Sequence, residues 1–231
     1  SRFPFALDPN RLPQEVRIRP YLVPTDGPFL EESAPSIEFA TPFANRPSFT
    51  EQNPAALSPN ELRYGNEQVT NVFIRGVEPE HTDAVPLFTV RSGRFITEDD
   101  LSRSRRVVVI GLAIAESLFP FTDPIGKSVR VNGKVYEVIG VFERDPGLFG
   151  GPGIDQIACI PFTTFRKEYP EIREILVAFS IRADVSVPYA LNEVTEAMRR
   201  RRNVPHRAEN NFADISPDFL NNLWADLTGA L

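Results

Sequence analysis

The sequence predicts an α+β fold in which two βαβ halves, one from each chain end, enclose a β-rich insert. Three observations carry that prediction. Extended, helical and extended patterns follow one another near both ends of the chain. Short β-branched runs such as Val107 to Ile110 mark buried strands in the middle. Asn132-Gly133 lies between alternating arms, the pattern of a type I′ hairpin turn. The halves occupy 1–60 and 170–231, and the insert occupies 61–169.

The first sixty residues are rich in proline, which limits long regular elements. Within them the pattern predicts a weak strand at Val16 to Leu22, a short helix near Pro28 to Ser33 and a better strand at Ile37 to Ala44. Leu62 to Tyr64 and Val69 to Val77 read as a hairpin across Gly65-Asn66. Thr97 and Asp100 have the spacing of a capping box. The cluster Glu98, Asp99 and Asp100 reads either as dipole-complementing acids in a first helical turn or as a cation site.

After the Val107 strand, Leu112, Ala115, Leu118 and Phe119 recur at helical spacing until Pro120 stops the helix. Asp123-Pro124-Ile125-Gly126 has the residues of a type I turn. The two-residue turn then sets Val131 opposite Lys134, Val129 opposite Tyr136 and Lys127 opposite Val138. Val129, Val131, Tyr136, Val138 and Phe142 are therefore expected on one apolar face. The glycine-rich segment Gly147 to Gly153 carries Leu148 and Phe149 but lacks the Gly-Lys-Ser/Thr ending of a phosphate loop, so a loop with a hydrophobic tip is expected. Ile175, Val177, Phe179 and Ile181 alternate as a strand. Ser186 is placed to cap a helix with the stripe Val187, Leu191, Val194 and Met198, and Phe212 to Ile215 reads as a returning strand. A last helix, Pro217 to Leu231, presents Leu220, Leu223, Trp224, Leu227 and Leu231 along one side, which reads as a terminal helix packing on its own domain.

Composition excludes several functions. The chain has 231 residues, 42% hydrophobic and 24% charged, as in a globular protein with a substantial core. No apolar run reaches the roughly 18 to 20 residues needed to cross a bilayer, and there is no signal-peptide core. The chain starts at Ser1-Arg2 and its one methionine is Met198, so an excised domain or processed product is expected. A net charge of −6 argues against nucleic-acid binding. The basic run Arg199 to Arg202 falls at a helix end, where cations complement the dipole; contact with anionic lipid or a partner is the alternative. Cys159 is alone and reads as a small buried strand residue. With one cysteine and with His81 and His206 far apart, no zinc site is expected.

The order V-V-I-G, a helix ending in Leu118-Phe119, Asp123-Pro124-Ile125-Gly126-Lys127 and a hairpin closing in Val138-Ile139-Gly140-Val141 resembles the periplasmic core domain of MacB-like ABC transporter permeases. Upstream, Gly76-Val77, Gly93-Arg94-Phe95 and Thr97 to Asp100 are similar to the family's G-V, G-R-F and T-x-x-D positions. Downstream, Ile160 to Phe165 is similar to its I-P-Y-T-T segment. The likeness covers Glu61 to Phe165 well and the flanks in pattern.

The resemblance implies a porter-like subdomain built from both chain ends with an inserted second subdomain. It implies a periplasmic or extracellular domain of a cytoplasmic-membrane protein, with no catalytic residue, cofactor or metal of its own. The implied partners are the membrane-embedded remainder of the same permease, a separate cytoplasmic ATPase subunit or domain, a second permease subunit, and an adaptor or cargo; nucleic acid is not among them. The Pro217 to Leu231 helix would correspond to the stalk leading into the membrane. Two rivals stand beside this reading: a free secreted or periplasmic binding module, and a hydrolase using acids such as Asp155 or Glu137, although no acid, base and nucleophile occur together.

Overall fold

The computed structural model describes residues 20–46, 59–145 and 153–212. In chain order the elements are α1 (Asp26–Ser33), β1 (Ile37–Arg46), β2 (Glu61–Tyr64), β3 (Glu67–Thr70), β4 (Phe73–Val77), α2 (His81–Ala84), β5 (Val90–Gly93), α3 (Glu98–Ser102), β6 (Val107–Ile110), α4 (Leu112–Leu118), β7 (Ser128–Val131), β8 (Lys134–Phe142), a 3-10 turn (Ile154–Gln156), β9 (Ile157–Pro161), α5 (Phe162–Glu168), β10 (Leu176–Ile181) and α6 (Val187–Arg201). The ten strands form one mixed sheet in the order β10-β1-β4-β9-β6-β8-β7-β2-β3, with β5 pairing β8. The β4–β9 and β6–β8 pairs are parallel, and the other pairs are antiparallel.

The fold is thus mixed α+β, with a core on each face of the sheet. On β6, Val108 and Ile110 enter one cluster while Val107 and Val109 enter the other; on β9, Ala158 and Ile160 part in the same way from Ile157 and Cys159. Strands buried on both faces need continuous apolar runs, which is why VVVI and IACI carry no polar alternation. The larger cluster also holds Leu30 of α1, Leu112 and Leu118 of α4, Phe165 of α5 and Met198 of α6. Those helices cover that face.

The β7–β8 hairpin forms as its turn residues dictate, with Asn132 at φ 47° and Gly133 at φ 83°. Val131 pairs Lys134 and Val129 pairs Tyr136. Val138 N–H donates to the Lys127 carbonyl at 2.8 Å just beyond the ladder. Val129, Val131, Tyr136 and Val138 share the larger core, but Phe142 lies in the other one. The reason is a bulge: the β6 partner steps from Val138 to Gly140, which reverses the parity of the strand beyond Ile139. Gly140 is needed there because a Cβ would strike the Arg94 carbonyl.

Other expectations change in detail. The Asp123 turn closes one residue later than expected: Lys127 N–H donates to the Pro124 carbonyl at 3.1 Å, and Gly126 sits at φ 76°, the third-position geometry of a type II turn. Asp123 instead accepts from the Ile125 N–H at 3.0 Å. The Val69 to Val77 stretch is two strands, broken where Asn71 adopts φ 62° and donates its N–H to the Asn60 carbonyl. Residues 20–23 carry no strand, and the rest of the expected Val16 to Leu22 strand lies outside the described residues.

In α6 the buried residues are Ala190, Val194, Ala197 and Met198, while Val187 is exposed and Leu191 half-buried. Small alanines let the helix approach closely, which rotates the buried stripe away from the larger side chains. Ser186 occupies the N-cap position without a side-chain capping bond. Phe212 lies in a bend; the remainder of its expected strand, the Leu148-Phe149 tip and the Pro217 to Leu231 helix lie outside the described residues.

Candidate functional site

Asp99, Asp100 and Asp155 are bonded within the structure. Thr97 and Asp100 form the expected capping box at the start of α3. Asp100 is buried and accepts from Arg94 at 2.5 and 3.2 Å and from the Thr97 N–H and hydroxyl at 3.0 and 2.8 Å. Burial alone would raise its pKa, yet the Arg94 and Thr97 bonds outweigh it and hold the carboxyl below the ordinary value. Asp99 pairs with Arg103 at 2.7 Å. Asp155 is buried in the 3-10 turn, where it accepts from the Asp145 N–H at 3.0 Å and lies 3.9 Å from Arg144. Glu137 is exposed on β8 opposite Ser128. The structure does not bring Asp155 and Glu137 into one hydrogen-bonded constellation.

Three of the four arginines in the basic run are likewise bonded inside the chain. Arg199 donates to the Asn210 side chain at 2.6 Å and to the Pro205 and Ala208 carbonyls at 2.7 and 3.0 Å. Arg201 donates to buried Asp26 at 2.5 Å and stacks 4.5 Å above Phe29, while Arg202 donates to the Tyr21 carbonyl at 2.7 Å. Arg200 is exposed. Among the described residues no three His, Cys, Asp or Glu side chains could hold a metal ion together. Cys159 is fully buried, and burial pushes its thiol up to about 12 against the opposing pull of Arg75.

Two polar arrangements were missed in the sequence, one on each face of the β1–β4 pair. On one face Arg75 of β4 lies 4.7 Å from the Phe43 ring and 5.0 Å from the Phe88 ring. It donates to Asn45 Oδ1 at 2.8 Å and lies 3.4 Å from His81 Nε2. His81 is buried, its ring 5.3 Å from Phe43 and 4.9 Å from Phe88, and burial followed by Arg75 brings its pKa down to about 3. A neutral ring that accepts at Nε2 carries its proton on Nδ1, which is buried without a partner. Just before α2, Glu78 is half-buried, and burial, then Glu80 and Glu98, raise its carboxyl to about 7.

On the opposite face Arg46 of β1 lies 5.2 Å from the Tyr169 ring and donates to Asn60. Asn60 is fully buried and donates to the Arg46 and Val72 carbonyls at 3.0 and 2.7 Å. The Asn132 amide donates to Asn60 at 3.1 Å and to the Tyr169 hydroxyl at 3.0 Å. A polar recess of about 410 Å³ opens beside this network, walled by Glu61, Lys134 and Glu168. Glu168 is already bonded to Lys134 and to Arg106. The one signal available in sequence was a single arginine inside the apolar strand Phe73-Ile74-Arg75-Gly76-Val77. What these residues do chemically is fasten strands to one another. No nucleophile stands beside a base in either cluster.

The family described as the MacB-like periplasmic core domain matches residues 5–197. The chain belongs to this family. Relatives of this MacB-like domain include the macrolide export ATP-binding/permease protein MacB of Aggregatibacter actinomycetemcomitans, 29% identical over 147 residues, covering 63% of this chain and 22% of the relative. The uncharacterized ABC transporter permease YvrN of Bacillus subtilis (strain 168) is 31% identical over 110 residues, covering 45% of this chain and 26% of the relative. The chain therefore spans about a quarter of the length of these relatives.

Among solved structures, the periplasmic region of MacB from Actinobacillus actinomycetemcomitans matches with TM-score 0.66 at 21% identity, over 90% of this chain and 85% of that one. The extracellular domain of the noncanonic ABC-type transporter YknZ from Gram-positive bacteria matches with TM-score 0.59 at 19% identity, over 80% of this chain and 86% of that one. These likenesses establish the MacB-like fold. Among the described residues no helix is long and apolar enough to cross a membrane.

Proposed function

We propose that this MacB-like periplasmic core domain belongs to a permease subunit, binds no nucleotide, and transmits movement from a cytoplasmic ATPase to export or other work outside the membrane. The observation that carries this reading is the family match across residues 5–197, supported by relatives that are ATP-binding/permease proteins. Its partners are the membrane-embedded remainder of the same permease, a second permease subunit, the ATPase, and an adaptor or cargo outside. Consistent with a mechanical role, the buried acids and arginines are spent on internal bonds.

Within this reading the chain divides into a porter-like subdomain of two βαβ halves, 1–60 and 170–231, and an inserted β-rich subdomain, 61–169. β1 serves both: Ile37 to Phe43 pair with β10, and Phe43 to Arg46 pair with β4. The stripe Leu220, Leu223, Trp224 and Leu227 would be the lever joining the domain to the membrane.

The experiment is fractionation and labelling of the native gene product. The polypeptide should stay in the membrane pellet after an alkaline carbonate wash. A cysteine placed at Phe121, which is 98% exposed, should react with a membrane-impermeant maleimide from outside the cytoplasmic membrane. Release of the protein by the wash would favour a free binding module. Reaction only after the cytoplasmic membrane is broken would overturn the location.

A further inference from the structure

We propose that the β1–β4 seam is a braced joint, in which Arg75 and Arg46 act as positioning residues that fix the angle between the chain-end half and the insert. This inference rests on the two-subdomain reading above. The two halves share four ladder positions, from Phe43 opposite Val77 to Arg46 opposite Ile74. A ladder of four residues resists separation but twists readily, because sheet twist varies widely between neighbouring strands.

The seam carries one arginine stack on each face, and the two are reciprocal. Arg75, from the insert, packs on Phe43 of β1; Arg46, from β1, packs on Tyr169 at the end of the insert. Successive strand residues point to opposite faces, so Phe43 and Asn45 serve one stack while Ala44 and Arg46 enter the other side. Braces on both faces of a strand pair oppose rotation in either sense.

The acceptors chosen for Arg75 fit this role. Its partners are the Asn45 side-chain oxygen Oδ1, the neutral His81 ring and two aromatic faces, with no carboxylate among them. A flexible ion pair would allow the joint to swing about a point charge. A planar guanidinium held between two rings fixes orientation as well as distance, which lysine cannot reproduce. α2 adds to the brace by packing on both β1 and β10 across the seam.

The test uses this chain alone, with spin labels on cysteines replacing Phe121 in the insert and Tyr189 on α6, both exposed. Cys159 is buried and stays unlabelled. Double electron–electron resonance should give a narrow distance distribution in the otherwise unaltered protein. Arg75→Lys and Arg46→Lys should each broaden it by about twofold, as freed motion between subdomains requires. Gly65→Val, in the turn of the β2–β3 hairpin at the sheet edge far from the seam, should leave the width unchanged. If Arg75→Lys fails to fold, Phe88→Leu removes one face of the stack and should broaden the distribution in the same way. Unchanged widths in the seam variants, or equal broadening by Gly65→Val, would overturn the brace. Because no transporter is needed, failure here is distinguishable from failure of the membrane-fractionation test.

Discussion

Replacing Asn60 by alanine should be the most damaging single change to the polar network beside the seam. Asn60 is fully buried and serves four groups: it donates to the Arg46 and Val72 carbonyls and accepts from Arg46 and Asn132. Each net hydrogen bond is worth about 1 kcal/mol, rising to about 1.5 to 3 for a bond to a charged group, and groups left buried without partners cost about 1 to 3 kcal/mol each. A simple sum exceeds 5 kcal/mol. The adjoining recess of about 410 Å³ admits water that can replace part of the loss. The expected cost of Asn60→Ala is therefore about 3 to 4 kcal/mol. Guanidinium denaturation at pH 7 should show a lower midpoint with an unchanged slope. Asn132→Ala should cost less, because Asn132 contributes two of these side-chain links and the Glu61 N–H contact at 2.9 Å. The double variant should cost less than the sum, since the residues share a bond. A cost below about 1 kcal/mol for Asn60→Ala would refute the reasoning and place the side chain in water.

Gly133→Val should destabilise by about 1 to 2 kcal/mol through backbone strain at φ 83°, since nothing lies within 4 Å of the new Cβ; an unchanged denaturation midpoint would contradict it. Cys159 should resist an aromatic disulfide reagent at pH 8 in the folded protein and react at once in denaturant, because its thiol is buried and raised to about 12. Glu78 is raised to about 7 from 4.5, so the folded state holds a proton that the unfolded state has lost, and stability falls as pH rises through that window. Glu78→Gln should therefore stabilise at pH 8 by on the order of 1 kcal/mol, after allowing for solvent screening at this half-exposed site, and do little at pH 4; equal effects at both pH values would exclude the assignment.

Much of the fold was legible because its signals are local. Asn132-Gly133 sets its own turn and register, Thr97 and Asp100 lie one helical turn apart, and VVVI declares a strand buried on both faces. The errors arose where distant residues decide. The bulge that moves Phe142 follows from β5 lying close against Gly140, and the α6 stripe is set by which small residues allow close packing. The seam networks were hidden for the same reason. Asn60 meets partners 12, 14 and 72 positions away, and Arg75 meets Asn45 thirty positions away. Their residue types alone say nothing of those meetings.

The central claim is mechanical, and the most direct measurement follows movement in the assembled transporter. The full-length permease would carry one spin label at a cysteine replacing Phe121, be reconstituted with its ATPase in lipid nanodiscs, and have the distance between the labels of its two subunits recorded with and without a non-hydrolysable ATP analogue. The account predicts that nucleotide shifts the distance distribution between the two extracytoplasmic domains. Identical distributions in both states would contradict it.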